Sequence, residues 1–94
     1  MDEAEGCRSN RWLTTLTIDS NKLGITRDDI IEKLESENIE SRPVWKPMHL
    51  QPLYNSCEYV RSDNRDVSAE LFEKGLCLPS GSNLSENDQN RIID

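Results

Sequence analysis

The densest chemistry in this 94-residue sequence lies at residues 41–52, Ser-Arg-Pro-Val-Trp-Lys-Pro-Met-His-Leu-Gln-Pro. Arg42, Lys46 and His49 bring together two cations and the single imidazole of a chain that is otherwise acidic. Guanidinium and ammonium groups neutralise phosphate or carboxylate oxygens, and the indole of Trp45 offers a face on which a ring can stack. Pro43, Pro47 and Pro52 bracket the stretch and reduce the entropy lost when such a loop is held still. The same residues also have a plainer use, with Trp45 and Met48 as core plugs and the charges turned to water. Residue types alone leave both uses open.

Other chemistry is sparse. Catalysis requires a nucleophile with a base, paired carboxylates, or a metal or cofactor. No GxGxxG and no Walker glycine loop is present. A thiol–imidazole pair of His49 with Cys57 would have to be built in a proline-bracketed loop, and is disfavoured. A metal held by His49, Cys57 and Cys77 is a weaker possibility still, because Cys7, Cys57 and Cys77 are widely spaced and form no CxxC pair. An odd number of scattered cysteines points to reduced thiols and a reducing, cytoplasmic compartment. The acidic residues fall mostly on prospective helix faces and caps, where they serve solvation and the helix dipole.

The elements that must position residues 41–52 can be read from period and punctuation. Residues 1–9 are acidic and aperiodic, a frayed leader or the trace of a cut from something larger. From Asn10 a β-branched and aromatic run begins, with Trp12, Thr14, Leu16 and Ile18 on one face of a strand and Leu13, Thr15 and Thr17 on the other. Asp19, Ser20 and Asn21 then make a turn. Thr26 with Asp29 is a near capping box, Ile25 and Ile30 suit a hydrophobic staple, and Ile30, Ile31 and Leu34 form the apolar stripe of a helix to about Glu37. Asn38 can end it in the left-handed conformation, with Ile39 folding back on Leu34.

Residues 40–45 are extended because Arg42 precedes Pro43, and a proline confines that strand to an edge or an end. Residues 46–62 form an unusually long loop. A second helix spans about 66–74 with Val67, Leu71 and Phe72 inward, Gly75 as its left-handed cap and Leu76 packed back on Leu71. Residues 76–79 make a third strand and 80–83 a turn. Ser85 and Asp88 cap a last helix that brings Ile92 and Ile93 onto the core. The chain then stops at Asp94 after barely two turns, as at the boundary of a cut piece. The expected fold is an α+β two-layer domain, a small, mostly antiparallel sheet with helices on one face.

Eleven Lys and Arg against eighteen Asp and Glu give a formal net charge of −7. Nucleic acid is thereby excluded as a bulk partner, since phosphate-backbone affinity is built from cationic contacts, and an anionic membrane surface is disfavoured likewise. No apolar run is long enough to span a bilayer, and the acidic start is the reverse of a signal peptide. At this length one domain buries only about 60–65% of its unfolded surface, so the core must be thin.

The run SRPVWKPMHLQP resembles the C-terminal signature of the pyridoxal-phosphate-dependent aminotransferases that act on nucleotide-linked keto-sugars, the DegT/DnrJ/EryC1/StrS group. NRWLTTLT at 10–17 is similar to the first strand of that family's small domain, and LGITRDDIIEKLESENI at 23–39 to its following helix. ELFEKGLCLPSGSNLS at 70–85 resembles its closing helix, strand and turn, and SENDQNRIID its terminal helix. The resemblance implies the small C-terminal domain, over residues 10–94, of an enzyme whose large α/β domain binds the cofactor. It further implies a homodimer, glutamate as amino donor and a nucleotide-linked 4-keto or 3-keto sugar as acceptor.

By the same resemblance, pyridoxal phosphate belongs to the large domain, Lys46 is not the Schiff-base lysine, and the 94 residues alone are inert. The residues carried over are substrate contacts: His49 and Lys46 near the diphosphate or hexose, Trp45 and Arg42 beside them, and Asn10 and Arg11 at the mouth of the first strand. The competing expectation is a free-standing α+β module in which Arg42, Trp45 and His49 dock an anion or a partner. In the first case Trp45, Met48, Leu50, Leu53 and Tyr54 should be exposed and loop 46–62 heterogeneous, because their packing partners are absent.

Overall fold

The computed structural model describes residues 3–94. Three strands form one antiparallel sheet in the order β1-β3-β2. β1 (Thr14–Thr17) and β2 (Arg42–Pro43) flank β3 (Gly75–Leu78). Thr14 pairs with Leu78 and Thr17 with Gly75 on one side, and Arg42 with Cys77 and Pro43 with Leu76 on the other. Pro43, which has no N–H to donate, thus lies on an edge strand, as its chemistry demands. The helices are α1 (Ser20–Leu23), α2 (Arg27–Ser36), α3 (Val67–Lys74) and α4 (Glu86–Ile93). The α+β class and the antiparallel sheet agree with the sequence. The one-turn α1 occupies the expected turn, closed by Gly24 at φ 72°.

Helix boundaries follow local chemistry. The Thr26 hydroxyl accepts from Asp29 N while Asp29 accepts from Thr26 N, and Ser85 and Asp88 repeat the device at α4. α2 ends in a Schellman motif: Asn38 has φ 57°, Asn38 N donates to Glu35 O, and Ile39 N donates to Leu34 O, both at 2.9 Å. Ile39 is buried there. Arg91 of α4 donates to the Glu37 carbonyl, so α2's last turn is satisfied from a second element as well. Arg27 crosses between helices, its guanidinium 4.7 Å from the Phe72 ring centroid and donating to the Phe72 carbonyl at the end of α3.

Gly75 departs from the sequence expectation. It is not left-handed but extended, at φ −92° and ψ 138°, and runs straight from α3 into β3. Its lack of a side chain serves space, not conformation. A Cβ there would lie 2.3 Å from the Leu71 carbonyl oxygen and 2.7 Å from Val44 Cγ2. The inward assignments also need correction, since Val67 and Leu71 of α3 and Ile93 of α4 are exposed, whereas Phe72 and Ile92 are half-buried.

Among the described residues the buried apolar set is Ile18, Ile39, Leu76 and Cys77, with only Leu76 fully buried, at 0% exposure. All four residues of β1 are exposed. The radius of gyration of 16.1 Å exceeds the roughly 12 Å of a compact domain of this length. The core is as thin as the length implied, and β3 runs through its middle.

Two outcomes follow. Gly75→Ala should destabilise the chain by about 1–3 kcal/mol, because the added carbon overlaps backbone and must push β2 or α3 away; the midpoint of urea unfolding measures it. Hydrogen bonds hold Asp29 and Asp88 below their ordinary value of 3.8, led by the Thr26 backbone N–H for Asp29 and the Ser85 hydroxyl for Asp88. A depressed folded value adds stability above the unfolded value and loses it as pH falls through the folded one. Glu37 and Glu70 are likewise held below their ordinary 4.5, led by hydrogen bonds from Lys33 and Arg65. The melting temperature should therefore hold near neutrality, begin to drop below 4.5 and fall further below 3.8, as thermal melts in a pH series would show.

Candidate functional site

The segments singled out at the two ends of the sheet meet through their tryptophans. Trp12, just ahead of β1, and Trp45, just after β2, have ring centroids 5.6 Å apart and planes inclined by 35°. Both remain largely in solvent, at 67% and 61% exposure. Polar side chains set the approach of the first strand: Asn10 Oδ1 accepts from Trp12 N at 3.1 Å, and Ser80 Oγ accepts from Thr14 N at 2.8 Å while donating to the Leu78 carbonyl. Arg11 takes φ 52°, an uncommon value for a residue with a Cβ, and its guanidinium pairs with Glu3 at 3.3 Å. The leader is thereby tied to the strand's mouth; the first two residues of that leader lie outside the described residues.

Trp45 stands on an open groove of about 940 Å³ whose walls include Leu13, Arg42, Val44, Lys46 and Leu78. Most of its lining is apolar, and its cations sit at the exposed side. Arg42 Nε donates to Glu40 Oε1 at 2.7 Å, with both side chains in solvent. Lys46 is exposed, and among the described residues it makes no ion pair. Ser41 Oγ is buried beside the groove with no hydrogen-bond partner. An aromatic shelf with an ammonium and a guanidinium at its side suits a ligand that combines a ring with anionic oxygens.

Loop 46–62 is more organised than its composition suggested. It holds two 3₁₀ turns, Met48–Leu50 and Pro52–Tyr54, the second started by a proline at its first position. His49 is drawn away from the groove: its Nε2 lies 2.8 Å from Asp66 Oδ2, at 16% side-chain exposure. Asp66 is the N-cap of α3, and its carboxyl is held below 3.8, first by the backbone N–H of Ala69 and further by Ser68 and His49, against desolvation. Met48, Leu50 and Leu53 are exposed together with Trp45, whereas Tyr54, expected to be exposed with them, is half-buried.

The structure thus brings Arg42, Trp45 and Lys46 to one groove, leaves Asn10 bonded to Trp12 N and Arg11 paired with Glu3 outside its lining, and turns His49 to a different partner. The Trp12–Trp45 contact and the role of Asp66 have no counterpart in the sequence reading. Trp12 was visible as an aromatic residue at a strand's mouth, but nothing in its spacing pointed at Trp45. His49, Cys57 and Cys77 form no ligand set; among the described residues no three His, Cys, Asp or Glu side chains stand close enough to hold a metal. No helix is long and apolar enough to cross a membrane, among the described residues.

This antiparallel α+β unit has counterparts among known proteins. The chain belongs to the DegT/DnrJ/EryC1/StrS aminotransferase family, whose pattern it matches over residues 1–94. It is 51% identical over 87 residues to EpsN of Bacillus subtilis (strain 168), assigned by its name to the pyridoxal phosphate-dependent aminotransferases. It is 35% identical over 82 residues to a GDP-perosamine synthase of Caulobacter vibrioides. These alignments cover 92% and 87% of this chain but 22% and 21% of the relatives. A crystal structure of a DegT DnrJ EryC1 StrS aminotransferase from Brucella abortus superposes with a TM-score of 0.76 at 31% identity, covering 98% of this chain and 23% of that one. The chain therefore spans about a fifth of the length of the proteins it matches.

Trp12→Ala leaves Trp45 as the single tryptophan and removes the ring that covers one of its sides. Trp45 emission should shift to the red and quench more readily with acrylamide, while stability falls by only about 0.5–1.5 kcal/mol, the range of an aromatic pair.

Proposed function

We propose that this chain is the small, pocket-walling domain of a pyridoxal-phosphate-dependent aminotransferase that moves an amino group from glutamate to a nucleotide-linked keto-sugar. In the longer protein, which we take to act as a homodimer in the cytoplasm, Trp45, Lys46 and Arg42 face the sugar-nucleotide, with Asn10 and Arg11 forming a second contact segment. The observation that supports this most is the groove itself, where an aromatic shelf and two cations from 41–46 stand together in a chain of net charge −7. A relative named for GDP-perosamine supports a nucleotide-linked sugar as the acceptor.

The residues present do not fit the cofactor. A Schiff-base lysine must be desolvated or set against another cation to act as a nucleophile. Lys46 is exposed, and Arg42, the nearest cation in sequence, is engaged by Glu40. A phosphate-cradling glycine loop is absent from the sequence. The cofactor and the reacting nitrogen belong to chain beyond this domain, and the 94 residues contribute walls, charge and water exclusion.

The experiment compares two polypeptides, each given pyridoxal phosphate, glutamate and a nucleotide-linked 4-keto-sugar. The longer protein that carries this segment should yield the nucleotide-linked amino-sugar by mass spectrometry, and the 94-residue chain neither product nor internal-aldimine absorbance. In the longer protein Lys46→Ala should raise KM for the sugar-nucleotide about tenfold, the loss of one charge-assisted contact. Aldimine absorbance from the short chain, or no transfer by the long one, overturns the reading.

A further inference from the structure

Away from the groove, four side chains close into one unit around Asp66. His49 Nε2 lies 2.8 Å from Asp66 Oδ2, and the Tyr59 hydroxyl donates to Asp66 Oδ1 at 3.2 Å. The same Oδ1 accepts from Ala69 N and Ser68 Oγ, each at 3.0 Å, which caps α3. The His49 and Tyr59 rings stack with centroids 3.7 Å apart and planes only 4° from parallel. One carboxylate therefore holds the first turn of a helix and two points of the long loop that precedes it.

We infer that His49 is a positioning residue: through Asp66 and Tyr59 it straps the chain that follows Trp45 and Lys46 to the first turn of α3, and so fixes the groove's loop-side wall. Two properties of the arrangement carry this. First, both of His49's distinctive capacities are used by protein, since one ring face lies on Tyr59 and Nε2 is on Asp66. An ionised carboxylate can only accept, so Nε2 carries its hydrogen whether the ring is neutral or charged. Second, the strap joins residues that no regular secondary structure connects. Between Tyr54 and Val67 the chain has no helix or strand, and the cluster ties Tyr59, within that stretch, and His49, ahead of it, to Asp66 at its far end. Phenylalanine at 49 would stack without the hydrogen bond, and glutamine would donate without the stack; histidine does both.

The inference deepens the proposed function by giving His49 a role in building the wall that Trp45 and Lys46 present, and only the identity of the ligand rests on that reading. The strap can be tested without any ligand, so its failure and the failure of the aminotransferase reading are separate results. Amide hydrogen exchange by NMR is followed in the 94-residue chain, in His49→Phe, which keeps the ring stack, and in Asp66→Ser, which keeps an N-cap but is too short to reach His49. Both variants should speed exchange across residues 46–62 by about tenfold and move the Trp45 indole signal, while Leu76 and Cys77 amides stay protected. The double variant should add little to either single one, as expected of two ends of one contact. Exchange at 46–62 unchanged in both single variants overturns the strap. So does a loss of protection at Leu76 and Cys77 in Asp66→Ser equal to that at 46–62, which would make the carboxylate a general fold determinant.

Discussion

Gly75 stands where the end of α3, the edge strand β2 and the start of β3 converge, and its missing side chain sets how near they come. With a Cβ in place, neither the Leu71 carbonyl nor the Val44 methyl could keep its position. That approach lets Val44 N donate to the Gly75 carbonyl at 3.0 Å and lets β3 leave the helix without a connecting loop. β3 is then the one strand bonded on both sides, and it holds Leu76 at the centre of the apolar set. The placement of β2, and hence of Arg42, Trp45 and Lys46 immediately around and beyond it, follows from the same contact.

Much of this was legible in the sequence, because local chemistry decided it. Thr26 with Asp29 and Ser85 with Asp88 announced two helix starts, and Asn38 with Ile39 announced a Schellman end. Gly75 shows where such reasoning stops. A glycine after a helix satisfies two different needs, a positive φ or a close approach, and the letter is the same for both. The choice depended on Val44, which comes from a distant part of the chain. The faces that α3 and α4 bury escape their apolar spacing for a related reason. Val67, Leu71 and Ile93 have apolar spacing, yet the layer that could cover them is not among these residues.

The site divides along the same line. Arg42, Trp45 and Lys46 share a short stretch of sequence and so were read together, and they share a groove. His49 belongs to that stretch by position but not by direction, because the turn Met48–Leu50 swings it toward Asp66. Trp12 meets Trp45 only because β1 and β2 both pair with β3, a fact of topology that no spacing rule contains. Aromatic and basic residues were therefore identifiable as chemistry-bearing, while their partners were not.

The sheet's two borders are unlike. On the β2 side Pro43 withholds a hydrogen-bond donor and the strand is two residues long, which blunts that border against further pairing. On the β1 side Thr14–Thr17 present an unbroken β-branched and leucine segment with its outward amides and carbonyls ungated by proline or charge. Self-association of the concentrated chain by strand addition would accordingly be directional, beginning along the threonine border, and a single lysine placed at Thr15 would act as its gatekeeper.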